Sequence, residues 1–152
     1  MRLTSSDFAD QGKIPRICTC EGEDLSPALD WGEAPPKTRS FALLCNDPDA
    51  PGGVWRHWAA YDIPATVAGL SRGAGRASEE EKFRQAINDF RRPGYGGPCP
   101  PLGHGAHRYR FRLLALSVDE LPVRKGARCR DVEREAVKHA LAEAELVGTF
   151  ER

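Results

Sequence analysis

Two Asp, two His and one Tyr lie beside stiff Pro/Gly segments in this chain, and those residue types suit a small anion. The first group is Asp47-Pro48-Asp49-Ala50-Pro51, with Trp55 and His57 a few residues on. The second is Gly94-Tyr95-Gly96-Gly97-Pro98-Cys99-Pro100-Pro101, followed by His107-Arg108-Tyr109. A His carries a proton near neutral pH and donates to a phosphate oxygen. A carboxylate beside it favours the charged ring, and a Tyr hydroxyl adds a neutral donor. Glycines let loop N–H groups approach an anion, while prolines hold the loop stiff. Asp47 and Asp49 have two expected tasks: one accepts a hydrogen bond from a ligand ammonium or hydroxyl, the other orients His57.

Other chemistries use the same residues. Cys99, with His57 or His107 as base, would make a hydrolytic nucleophile, and a His/Asp pair is a second hydrolytic option; no acid that would orient a Cys/His pair is evident. An Asp-Pro-Asp run is also a common turn, and an isolated strand His is more often structural than functional. A pocket retained without a ligand, in a module that binds other proteins, is a third reading. Asp47, Asp49, His57 and His107 match no known metal-ligand spacing. Cys18-Thr19-Cys20 is half a zinc site without a second half. No metal, cofactor or catalytic residue is therefore expected.

The elements that must position these groups are short. Pro and Gly interrupt the chain from Gly12 to Gly69, and between them residues 40–45, 54–63 and 109–116 read as strands. Such strands separated by turn signals predict a mostly β protein, a two-sheet antiparallel sandwich or a barrel. The cap-like Ser78-Glu79-Glu80-Glu81 predicts a short helix over 78–86. Val132, Ala136, Val137, Ala140, Leu141 and Ala144 recur at helical spacing, predicting a C-terminal helix over 131–145 started by Asp131, with Thr149-Phe150 as a terminal strand or tail.

The 152 residues read as one domain, 1–152, large enough to need no disulfide or metal staple. Lys+Arg and Asp+Glu balance at 22 each, which gives no reason to expect a nucleic-acid partner. The N-terminus has no apolar signal-peptide core, and no apolar run is long enough for a membrane helix, so membrane contact is not expected. Five cysteines at irregular spacing read as reduced thiols in a cytoplasmic protein.

Taken together, the two motifs resemble the phosphatidylethanolamine-binding protein family, in its shorter bacterial YbhB/YbcL (Raf kinase inhibitor-like) branch. The matching blocks are Asp47-Pro48-Asp49-Ala50-Pro51, Trp55-Arg56-His57-Trp58 leading to Ile63-Pro64, and Gly94 to Pro101 continuing through Gly103 to His107-Arg108-Tyr109-Arg110-Phe111. Leu25-Ser26-Pro27, Leu29-Asp30-Trp31 and Asn88-Asp89-Phe90 add weaker support. The resemblance implies a two-sheet antiparallel sandwich and a non-enzymatic anion pocket for phosphate, acetate or phosphoryl-ethanolamine-like groups. Its implied lining is Asp47, His57, Pro101, His107 and Tyr109, with Asp49, Trp55, Gly97 and Pro98 close by. It also implies cis peptides near the Pro-rich motifs, a homodimer, and a role in regulating a partner protein such as a kinase or protease. Arg56, beside His57, is expected to turn outward on strand alternation. Residues 71–82 are charged and unlike the family, and nothing carries over to them.

Overall fold

The computed structural model describes residues 1–76 and 82–152. Its strands, in chain order, are β1 (Arg2–Thr4), β2 (Gly12–Lys13), β3 (Leu29–Gly32), β4 (Ser40–Asp47), β5 (Trp55–Pro64), β6 (Gly69–Leu70), β7 (Arg84–Gln85), β8 (His107–Leu116) and β9 (Ala140–Phe150). One helix, α1 (Cys129–Lys138), precedes β9, and a single 3₁₀ turn spans Arg16–Cys18. The strands form two sheets. The smaller has the order β1-β3-β6 and the larger β2-β9-β8-β4-β5-β7. Pairing is antiparallel except between β2 and β9.

Alternation along the central strands explains why the large sheet is covered on both faces. Phe41, Leu43 and Cys45 of β4 share one core with Tyr109, Phe111 and Leu113 of β8 and with Leu3, Leu29 and Trp31 of the small sheet. Ala42 and Leu44, one residue out of phase, face the other way with Leu114 and Leu116, onto Cys129, Val132 and Ala136 of α1. β4 is thus buried along its whole length. A strand buried on both faces reads as a continuous apolar run rather than an alternating one. On the same face as α1, β8 shows Arg110 and Arg112, which pair across the sheet with Glu145 and Glu143 of β9, Arg112 also reaching Glu133 of α1.

Several expectations need correction. The helix expected over 131–145 spans Cys129–Lys138, and Ala140 onward is strand β9. Ala142, Ala144 and Leu146 turn toward the core at a period of two, whereas Val137 and Leu141, counted in the helical stripe, are 53% and 43% exposed. The residue before the helix is Arg128, with no side-chain cap; Asp131 lies in the first turn and accepts from Arg134. Of the helix expected over 78–86, Arg84–Gln85 is edge strand β7, pairing with Ala60 and Tyr61; residues 78–81 lie outside the described residues. Cys20 and Cys99 are disulfide-bonded with Cα atoms 5.4 Å apart, so these two are not reduced thiols. Cys18, Cys45 and Cys129 are free and buried. All peptide bonds among the described residues are trans. Among them, no helix is long and apolar enough to cross a membrane.

Candidate functional site

β4 lies between β5 and β8 and runs antiparallel to both. The end of β4 therefore meets the starts of β5 and β8 at one end of the central strands of the large sheet. This register brings Asp47, Trp55, His57, His107 and Tyr109 together around a cavity of about 210 Å³. Ala50, Pro51, Phe90, Cys99, Pro100 and Pro101 complete its wall.

Each polar group in it is held from behind. The buried Asp47 carboxylate accepts the Asp49 N–H at 2.8 Å through one oxygen and His107 Nδ1–H at 2.7 Å through the other. His57 Nδ1 lies 2.6 Å from the Gly96 carbonyl, and the Gly96 N–H returns a bond to the His57 carbonyl at 3.0 Å. A carbonyl only accepts, so His57 carries its proton on Nδ1 and keeps an acceptor lone pair on Nε2. The ring sits edge-on to Phe90 and Tyr109, with centroids 5.4 and 5.3 Å away. Burial holds the His57 pKa below its ordinary value, against the opposing pull of the Gly96 carbonyl and Asp47. Burial likewise raises the Tyr109 phenol far above its usual range, reinforced by the negative charge of Asp47, so the hydroxyl keeps its proton. That hydroxyl is the one buried side-chain polar atom among the described residues with no hydrogen-bond partner.

Three expected residues stand back from the cavity. Asp49 does not orient His57: it accepts the backbone N–H of Arg108 at 2.8 Å and pairs with the Arg108 guanidinium at 2.8 and 3.0 Å. Those hydrogen bonds hold its carboxyl down to about 2. The carboxylate that orients a ring is Asp47, and the ring is His107. Gly97 and Pro98 lie behind the wall, where the Gly97 N–H donates to Asp24 and the Pro98 carbonyl accepts from Cys20. The backbone N–H groups of residues 94–97 are all engaged within the protein, so the glycines do not form an anion cradle. Their small size is what the fold uses. A Cβ on Gly96 would lie 2.4 Å from the Phe90 ring, and one on Gly97 would lie 2.3 Å from the Cys18 carbonyl oxygen.

Cys99 lines the wall but its sulfur is bonded to Cys20, which removes the thiol nucleophile. Arg56 turns to the opposite face of the sheet, where Glu133 holds it. Sequence reasoning missed Phe90 and His104. Phe90 was within a weakly matching segment, and only the fold shows its ring against His57 and Trp55. His104 lies three residues before His107, and its Nδ1 is 2.6 Å from His107 Nε2.

Comparisons with known proteins agree with this architecture. The family model for phosphatidylethanolamine-binding protein matches residues 4–151. A UPF0098 protein of Aquifex aeolicus is 44% identical over all of this chain and 89% of its own length. YbhB of Escherichia coli is 35% identical over 99% of both chains. The crystal structure of E. coli YbcL superposes with a TM-score of 0.93 at 34% identity, covering 99% of this chain and 98% of that one. A phosphatidylethanolamine-binding protein homologue of Chlamydia trachomatis gives 0.88 at 33% identity, covering 99% and 97%. The match to the family model and the similarity to these relatives each span almost the whole chain, and the protein belongs to the phosphatidylethanolamine-binding protein family.

Proposed function

We propose that the cavity binds a small oxyanion group, such as a phosphate, a carboxylate or a phosphoryl-ethanolamine-like headgroup, and does not transform it. The observation that carries this reading is a cavity lined by Asp47, His57, His107 and Tyr109, the last with a buried and unpaired hydroxyl. A buried donor without an acceptor costs about 1–3 kcal/mol, which a ligand oxygen would recover. His57 Nε2 is the second contact: neutral, it accepts a proton-bearing ligand oxygen; protonated, it donates to an anionic one. Volume limits the ligand. The cavity of about 210 Å³ holds roughly seven waters at ~30 Å³ each, below the 300–1,000 Å³ range typical of drug-sized ligands. Only a headgroup is enclosed, and any longer portion lies outside, past the exposed Trp55 and the neighbouring Val54 and Leu102.

The hydrolase reading loses its nucleophile. The described residues around the cavity include no Ser, Thr or Lys; Cys99 is disulfide-bonded and Tyr109 is firmly protonated. The Asp47–His107 pair turns its other ring nitrogen to His104, not to a hydroxyl or thiol of the described residues.

The test is calorimetric titration of phosphate, acetate and phosphoryl-ethanolamine into the wild-type protein and Tyr109→Phe. Binding by wild type that weakens at least tenfold in the variant supports the reading. A folded wild-type protein that binds none of the three overturns it.

A further inference from the structure

A chain of three groups runs from the cavity wall to the surface. Asp47 and His107 are buried and joined at 2.7 Å; His107 Nε2 lies 2.6 Å from His104 Nδ1, and His104 is exposed. Proton placement along it follows from what each atom can do. The Asp47 carboxylate accepts only, so His107 carries a proton on Nδ1. With both rings neutral, His107 Nε2 is an acceptor and the proton in the second contact belongs to His104 Nδ1. His104 Nε2 is then a free lone pair at the exposed end. All the bonds point one way, from the surface through His104 and His107 to Asp47.

We propose that His104 is the proton gateway of the anion site, carrying protons between solvent and His107. A hydronium ion protonates His104 Nε2 and leaves as water. As that N–H bond forms, the N–H bond at His104 Nδ1 breaks and one forms at His107 Nε2. His104 ends neutral with its proton on Nε2, and His107 becomes an imidazolium paired with Asp47. The reverse sequence discharges it. The functional consequence rests on the anion-binding reading: a charged His107 in the cavity wall attracts the oxyanion, and His104 sets the route by which that charge arrives.

The backbone supports this placement. Gly103 and Gly105 flank His104 with φ of +73° and +88°, conformations that L side chains rarely adopt. The His104 N–H is bonded to the Pro101 carbonyl at 3.1 Å and the Gly103 N–H to the Arg152 carbonyl at 2.9 Å, so the tight turn holds the ring over His107. Other charged and titratable groups around the chain are few. Asp49, after β4, is neutralised by Arg108 of β8. Tyr109 of β8 stacks near His107 at 6.5 Å, and His57 of β5 lies beyond it. Arg152, following β9, bonds the Pro100 carbonyl at 2.7 Å.

The chain holds four His, so their rings can be followed separately by ¹⁵N spectroscopy without any ligand. His104→Asn can keep an N–H donor toward His107 but cannot carry the proton; His104→Ala loses both. The route is read from the rate at which the His107 ring N–H protons exchange with water. That rate should fall by about tenfold or more in both variants relative to the wild-type protein. Equal exchange rates in the wild-type protein and both variants overturn the proposal. His104-dependent exchange in a protein that binds no sulfate would leave the proton route standing and remove the anion-binding reading alone.

Discussion

Tyr109 and His57 play different parts in the proposed site, and single substitutions separate them. Tyr109→Phe removes only an oxygen that has no partner in the empty fold. Its stability, measured by denaturant unfolding, should stay within about 0.5 kcal/mol of wild type or rise, because nothing native is lost. Its anion affinity should fall by about 1.5–3 kcal/mol, the worth of a hydrogen bond to a charged group. His57 gives a pH signature. Burial holds its folded-state pKa below the unfolded value of about 6.5. The unfolded chain therefore binds the proton more readily, and the empty protein loses stability as pH falls through that value. A bound anion favours the charged ring, so ligand affinity runs the opposite way and rises with acid. Sulfate, whose charge is constant in this range, should raise the thermal midpoint more at pH 6 than at pH 8. An equal rise at both would remove His57 from the site. Asp47→Ala should cost about 1–3 kcal/mol of stability by leaving the Asp49 N–H and His107 Nδ1–H unpaired.

Among the elements, the helix and the β9 strand after it hold a charge cluster that the site depends on only indirectly. Glu133 of α1 accepts from Asn46 at 2.6 Å, Arg56 at 3.1 Å and Arg112 at 3.3 Å, fastening the helix over β4, β5 and β8. Glu133→Ala should destabilise the protein by about 1–3 kcal/mol, because three donors lose one acceptor; anion affinity of the folded fraction should not change. The central β strands were legible because β4 and β5 read as short, largely apolar runs between turn signals: 40–45 lies within β4, and 54–63 covers β5 to within one residue at each end. The helix end was not, because Ala136, Ala140 and Ala144 fit a period of four while Ala140, Ala142 and Ala144 fit a period of two. Alanine does not separate those patterns; only the partner strand does. The site was legible in its strand-end residues and less so in its loops. Asp47, His57, His107 and Tyr109 follow from register. The roles of Asp49, Gly97 and Cys99 depend on Arg108, Asp24 and Cys20, which no local spacing relates to them.

At the scale of the whole molecule, the Cys20–Cys99 bond joins residues 79 apart and fastens the cavity wall to the segment after the 3₁₀ turn. Reduction by a thiol should lower the unfolding free energy by about 2–4 kcal/mol, read as a shift in the denaturant midpoint. The same bond bears on how quickly the chain finds its fold. Asp47 and His107 are 60 residues apart, and the β4–β8 pairing they terminate is the long-range step that joins the two halves of the large sheet. Topologies dominated by such distant pairings fold in milliseconds to seconds, slowed by the entropy of closing long loops. A disulfide formed first draws residue 99 toward residue 20 and so shortens the free chain that must be searched before β8 meets β4. The oxidised protein should refold faster than the reduced one, and the proposed anion site, assembled from the ends of those two strands, should be among the last parts of the molecule to acquire its native shape.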